Sequence, residues 1–176
     1  MSFFKDDLKQ IKAILLDVDG VLSSDTSPLD KNGDPMRTAN VKDGFAIRHA
    51  LLNGIEIGVI TGGGQKRVRK RHLKLGITHY YDNVSDKTRV LQDFMKKTGI
   101  SPNEILFMGD DLVDHAVMRQ VGISACPSDA VPEIKLISRY ISDHKGGDGC
   151  VRDVIEQVMR AQGNWFNDNL TEKQAY

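Results

Sequence analysis

The chain has 176 residues, 24 basic and 24 acidic side chains, and 40% hydrophobic residues. That length suits one domain with a full hydrophobic core, and the balanced charge offers no global field for nucleic acid or an acidic membrane surface. No apolar run approaches a bilayer span, the opening residues Met1 to Asp7 lack a secretory apolar core, and Cys126 and Cys150 suit reduced thiols, so a soluble cytoplasmic protein with neither nucleic-acid nor membrane partners is expected.

The first apolar run, residues 11–16, reads as a buried parallel strand and ends in Asp17-Val18-Asp19-Gly20. Two carboxylates at the end of such a strand repel each other until a cation or a shared proton relieves them. Asp-Gly is equally a turn signal, and this stretch alone leaves both readings open. Residues 22–40 hold Pro28, Asn32-Gly33 and Pro35 and predict a β-hairpin flap projecting from the sheet edge. Beyond the flap, helical spacing over 45–52, 65–75, 87–98 and 112–119 alternates with strand-like runs at 56–61, 104–109 and 121–125. Gly54, Gly76, Gly99 and Gly122 follow the helical segments, where a left-handed residue is wanted. The alternation predicts an α/β fold: a three-layer, Rossmann-like parallel sheet with helices on both faces. Gly146-Gly147-Asp148-Gly149 reads as a flexible hinge before a helix over 151–162. Residues 8–163 form the single expected domain, 144–163 its glycine-hinged end, and 164–176 a mobile tail. Trp165 and Phe166 are unusually apolar for such a tail, and docking on another subunit is expected of them.

Polar residues recur at the strand ends: Thr61-Gly62, then Lys87 at the start of a helix, then Gly109-Asp110-Asp111 with Asp114. In a parallel sheet these ends share one side and can meet in one crevice. The set suits phosphate chemistry. Asp17 can attack phosphorus as a covalent nucleophile. Asp19 can protonate the leaving oxygen and then deprotonate water. Thr61 and Lys87 can hold the equatorial phosphate oxygens, and Asp17 with Asp110 can bind Mg²⁺. The basic run 66–71 reads as a solvated helix face, Gly62-Gly63-Gly64 lacks the spacing of a nucleotide loop, and the five histidines show no metal-ligand spacing. A phosphoacceptor signalling domain uses similar residue types, but its phosphorylated Asp follows a later strand than its acid pair, the reverse of the order here.

The ordered motifs D-x-D-G, T-G, K and G-D-D-x-x-D, over about residues 12–125, resemble the haloacid dehalogenase superfamily of phosphotransferases. The resemblance makes Asp17 the nucleophile, Asp19 the acid/base whose main-chain carbonyl also meets Mg²⁺, and Asp110 the remaining metal ligand. It gives phosphate binding to Thr61 and Lys87, and makes Asp111 and Asp114 residues that orient metal-bound water and Lys87. Neither interval between motifs, 19–61 or 61–87, can house a cap domain, so the crevice is expected to be open. The flap, Val41-Lys42-Asp43-Gly44, the glycines at 146–149 followed by Arg152, and the overall length narrow the resemblance to the 3-deoxy-D-manno-octulosonate 8-phosphate (KDO 8-phosphate) phosphatase family. That implies Mg²⁺-dependent hydrolysis through an aspartyl-phosphate in lipopolysaccharide inner-core synthesis. It also implies a homotetramer in which flaps pack together and tails reach neighbouring active sites. Substrate contacts are then expected from Asn40, Val41, Lys42, Asp43, Gly44 and Arg71, beside Asp19, Gly63 and Lys87. Relatives acting on nine-carbon acids (KDN or sialic acid 9-phosphate) often carry Glu where this chain has Gly63, which favours the eight-carbon substrate. Ser23-Ser24-Asp25, Asn40 and Asp82-Asn83 depart from the family pattern near the expected entrance.

Overall fold

Strands and helices alternate through residues 4–166, the part of the chain that the computed structural model describes. The order is α1 (Phe4–Lys9), β1 (Ala13–Leu16), α2 (Val41–Leu52), β2 (Glu56–Ile60), α3 (Lys66–Lys74), β3 (His79–Tyr81) and α4 (Lys87–Thr98). It continues with β4 (Ile105–Met108), α5 (Leu112–Met118), β5 (Ile123–Cys126), α6 (Pro132–Ile137), β6 (Tyr140–Ile141) and α7 (Cys150–Ala161). The strands form one sheet in the order β3-β2-β1-β4-β5-β6, with every pairing parallel.

Burial on both faces explains why the strands read as unbroken apolar runs. Successive β1 side chains enter opposite cores. Ala13 and Leu15 join Leu91, Phe94, Val117 and Ile134 from α4, α5 and α6. Ile14 and Leu16 join Ala46, Ile47, Val154 and Val158 from α2 and α7. This is the expected three-layer arrangement. From β1 the chain steps outward to β2 and β3 and then returns to β4 on the other side of β1. The reversal between β1 and β4 opens a crevice at their C-terminal ends.

The interval between β1 and α2 turns back at Asn32-Gly33, where Asp30 Oδ1 accepts from the Asn32 and Asp34 N–H groups. Its pairing is reduced to a single antiparallel bridge, Leu29 with Pro35. On the outer side Pro28 has no N–H to return the bond its carbonyl accepts from the Met36 N–H, and on the inner side the Asp34 N–H goes to Asp30 Oδ1, so a longer ladder does not form. The flap is therefore a loop closed by one bridge, and Leu29 and Met36 on it stand exposed.

The C-terminal segment corrects two expectations. The Gly147 N–H donates to the Val21 carbonyl at 2.8 Å, and a Cβ on Gly146 would collide with the Gly20 carbonyl oxygen. The glycines read as a hinge thus form a seam where two backbones touch. Trp165 is only 8% exposed. It packs edge-on to Phe45 and His49 beneath the Arg152 guanidinium, with its carbonyl 2.9 Å from His49 Nε2. Trp165 thus docks on its own chain and not on another subunit, whereas Phe166 beside it is 66% exposed. The rest of the expected mobile tail, 167–176, lies outside the described residues. Gly54, Gly76 and Gly99 take the left-handed conformation expected after helices, whereas Gly122 is required because the Asn103 backbone leaves no room for a Cβ.

The seam makes Gly146→Ala informative. Thermal unfolding should show a loss of about 1–3 kcal/mol from overpacking, because Gly20 on the other side of the contact belongs to the acidic loop and cannot move away freely. An unchanged melting temperature would show that the two backbones can separate freely.

Candidate active site

Backbone hydrogen bonds at the strand ends set the positions of the polar side chains. The Asp17 N–H donates to the Met108 carbonyl at 3.1 Å, carrying the β1–β4 ladder one residue further. The Thr61 N–H likewise donates to the Tyr81 carbonyl at 2.9 Å beyond β2. Lys87 opens α4, whose first N–H groups are capped by the Asp86 carboxylate. The Gly109 N–H donates to the Ala125 carbonyl and fixes the exit of β4, so Asp110 follows at the sheet edge. Asp17, Asp19, Thr61, Gly63, Lys87, Asp110 and Asp111 consequently line one cavity of about 380 Å³.

At the floor of this cavity, Lys87 Nζ lies 3.0 Å from Asp17 Oδ1 and 2.7 Å from Asp114 Oδ1. Asp114 is fully buried, and its Oδ2 accepts from the Asp110 N–H at 3.1 Å. Burial pushes the Asp17 carboxyl up to about 6, helped by repulsion from Asp114 and opposed by Lys87. Burial also pushes Asp110 up to about 8, with Asp17, Asp114 and Asp111 adding to the rise. For Lys87, burial works against the charged form, but Asp17 and Asp114 outweigh it and the net shift is upward.

One carboxylate oxygen from each of Asp17, Asp110 and Asp114 lies within 4.8 Å of the others. Both Asp114 oxygens are already committed, one to Lys87 and one to the Asp110 N–H. Asp17 and Asp110 are therefore the carboxylate donors left for a cation. One ammonium among three carboxylates leaves negative charge uncompensated, and the hard oxygen donors suit Mg²⁺. Asp111 caps α5 by accepting from the Leu112 N–H at 2.7 Å.

Asp19 is held differently. Arg37 Nε donates to its Oδ1 at 2.6 Å and Arg37 Nη2 to its Oδ2 at 2.7 Å, a two-pronged pair. Sequence reasoning missed Arg37, because a single arginine within a polar loop carries no periodic or motif signal. Asp25, Val84, Ser85 and Val113 also line the cavity without having been singled out for it.

The other expected substrate residues do not reach this cavity. Asn40, Val41 and Lys42 border a separate cleft of about 710 Å³ with His144, Asp148, Gly149 and Arg152. Asn40 Oδ1 caps α2 by accepting from the Lys42 and Asp43 N–H groups. Asp43 is buried and accepts from the Arg152 N–H at 2.7 Å, and burial pushes its carboxyl up to about 6. Arg71 lies beside Gly44, where α3 meets α2. The helix ends thus occupy Asn40 and Asp43, and α2 turns Gly44 toward α3. His49 and His72 are buried, and burial together with Arg71 lowers His72 to about 4.

Residues 76–154 match the haloacid dehalogenase-like hydrolase family. The 3-deoxy-D-manno-octulosonate 8-phosphate phosphatase KdsC of Escherichia coli K12 is 40% identical over 155 residues, covering 88% of this chain and 82% of that protein. The structure of the Yersinia pestis enzyme of the same name superposes with a TM-score of 0.88 at 34% identity, over 92% of this chain and 87% of that one. The Moraxella catarrhalis enzyme, solved with magnesium, phosphate and KDO, gives a TM-score of 0.87 at 32% identity, over 92% of each chain.

The pKa of Asp110 sets a pH window for metal binding. Below about pH 8 its carboxyl carries a proton that Mg²⁺ must displace. Titration calorimetry should show affinity weakening as pH falls from about 8 to 6, by up to roughly tenfold per pH unit, with protons released to the buffer. A pH-independent affinity across that range would show that no proton on Asp110 has to be displaced there.

Proposed function

This chain belongs to the KDO 8-phosphate phosphatase family of haloacid dehalogenase-like hydrolases, and we propose that it hydrolyses KDO 8-phosphate to the free sugar acid and phosphate for lipopolysaccharide inner-core synthesis. The observation that carries this reading is the grip of Lys87 on Asp17 and Asp114 at the floor of a cavity shared with Asp19, Thr61 and Asp110. The name of the Moraxella relative's complex, with magnesium, phosphate and KDO, supports both the metal and the substrate class.

In this reading Lys87 holds Asp17 Oδ1 and leaves Oδ2 to attack phosphorus. The bond from phosphorus to the sugar oxygen breaks as the aspartyl-phosphate forms. Asp19 gives a proton to the departing oxygen, then takes one from the water that attacks the aspartyl-phosphate, releasing inorganic phosphate and restoring Asp17. The Thr61 hydroxyl and Lys87 ammonium bind the phosphoryl oxygens as their charge changes. Asp17, Asp110 and the Asp19 carbonyl would hold Mg²⁺, which would offset the charge between the phosphoryl group and the carboxylates. Asp114 keeps Lys87 aimed at the cavity, and Asp111, which caps α5, would orient water bound to the ion.

The cavity is open, and neighbouring subunits of a cytoplasmic homotetramer complete it. Support comes from Leu29, Met36 and Val41, which are 64%, 48% and 65% exposed on and beside the flap. Residues 40–44 and Arg71 contact the sugar acid in that assembly. No helix among the described residues is long and apolar enough to cross a membrane. The eight-carbon substrate is favoured over a nine-carbon acid phosphate by Gly63, because the Arg37 guanidinium fills the space a side chain there would need.

Two measurements test the reading. Phosphate release from KDO 8-phosphate, nine-carbon acid phosphates and hexose phosphates should rank KDO 8-phosphate first in kcat/KM. A preference of tenfold or more for a hexose phosphate, about 1.4 kcal/mol of transition-state discrimination, would overturn it. Asp17→Asn should lower turnover by on the order of 10⁴-fold while leaving thermal unfolding little changed. Substantial residual activity would remove Asp17 from the nucleophile's role.

A further inference from the structure

Arg37 lies against Asp19 and Gly63, two residues of the cavity lining, and its surroundings hold it there. The Thr38 N–H donates to Ser23 Oγ at 2.9 Å, and the Ser24 N–H to Thr38 Oγ1 at 3.3 Å, tying the base of the flap to the acidic loop. Gln65 Nε2 donates to the Pro35 carbonyl at 2.7 Å and ties the flap to the loop after β2. The Arg37 side chain is 11% exposed, while that of Asp19 is 48% exposed. The guanidinium therefore sits fixed between Asp19 and Gly63, and the carboxylate it holds is the more accessible partner.

Both Asp19 oxygens are taken by that fork. A carboxylate with both oxygens engaged by one guanidinium has neither aimed at a leaving group. Resting on the reading of Asp19 as acid/base, we propose that Arg37 is a specificity-determining residue that holds Asp19 aside until a carboxylate of the substrate takes its place on the guanidinium. A planar carboxylate matches the guanidinium fork as Asp19 does, whereas a neutral hydroxyl offers no charge with which to compete. Lys87 is committed at the floor, and Asp25 and Asp111 on the wall are acidic. A second substrate anion thus finds its counter-charge at Arg37. Exchange of partners releases Asp19 to the leaving oxygen only for an acidic sugar phosphate, so recognition of one end of the substrate enables chemistry at the other. Gly63 is part of the device, since any side chain there would meet Arg37 Nη2.

The test compares Arg37→Ala, Arg37→Gln and Arg37→Lys with the unmodified protein on two substrate pairs: KDO 8-phosphate against a hexose 6-phosphate, and 3-phosphoglycerate against glycerol 3-phosphate. Arg37→Ala is expected to reduce kcat/KM for each carboxylated ester by about tenfold or more, chiefly through KM. It should raise kcat for each neutral ester, whose leaving oxygen then meets a free Asp19. Arg37→Lys, which keeps the charge without the fork, should recover part of the KM loss. An unchanged ratio within both pairs would overturn the proposal. So would an equal fall in kcat on both members, which would make Arg37 only a support for Asp19. Should Arg37→Ala fail to fold, as judged by circular dichroism, Arg37→Gln gives the same comparison. The glycerate pair tests Arg37 independently, so refusal of KDO 8-phosphate by the unmodified protein counts against the proposed substrate and not against Arg37.

Discussion

The buried ammonium of Lys87 is the interaction on which the active centre depends. Asp17, Asp110 and Asp114 converge where burial alone would drive carboxylates to the neutral form. Lys87 binds two of them at 3.0 and 2.7 Å. Breaking such a buried pair by deleting one partner costs about 3–5 kcal/mol, because the remaining charge is left uncompensated. The compensation is nevertheless incomplete, since one cation faces three acids. Asp17 and Asp110 both respond with raised pKa values, to about 6 and about 8. That residual negative charge is what makes the cluster a receptor for a divalent cation, and the commitment of both Asp114 oxygens decides which acids supply it.

The sheet accounts for how these groups meet. Each reactive residue follows a parallel strand or opens the helix after one, and parallel strands all end on the same side. The switch in strand order between β1 and β4 sets Asp17 and Asp110 on adjacent strands with a gap between them. The hydrogen bond from Asp17 to Met108 then extends the ladder just far enough to fix Asp17 against the strand that leads to Asp110. Two apolar cores, one on each face of the sheet, hold this register.

What the sequence made legible was what is local and ordered. The acid pair, Thr61, Lys87 and Asp110 could be read because each directly follows an apolar run or begins a helix, and the parallel topology assembles them. Short elements escaped. β6 has two residues and β3 has three, too few to carry any period. Glycine was ambiguous because it serves two physical ends, a left-handed backbone and close approach; at 146 the second applies, and at 147 both do. Asn40 and Asp43 are expected to meet the substrate, and in the fold Asn40 also caps α2 while Asp43 accepts the Arg152 N–H at the start of α7. A polar residue at the start of a helix can serve both ends. Arg37 escaped for the opposite reason. Its partner Asp19 lies 18 residues away, and only the fold of the flap unites them.

Division of labour follows from the missing cap. In a cavity of about 380 Å³ with no lid among the described residues, the strand-end residues can carry out the same chemistry on any phosphate ester small enough to enter. Within the cavity itself, selection then falls to the segment that departs from the β-α alternation, residues 22–40. That segment is not free to drift. One bridge closes it, while Thr38 and Gln65 bind it to the loops after β1 and β2. Its outer part can change shape or find a neighbour without disturbing the chemistry, because the connections to the active centre lie at its base. Arg37 stands at that junction, where a change in the flap is felt directly by Asp19.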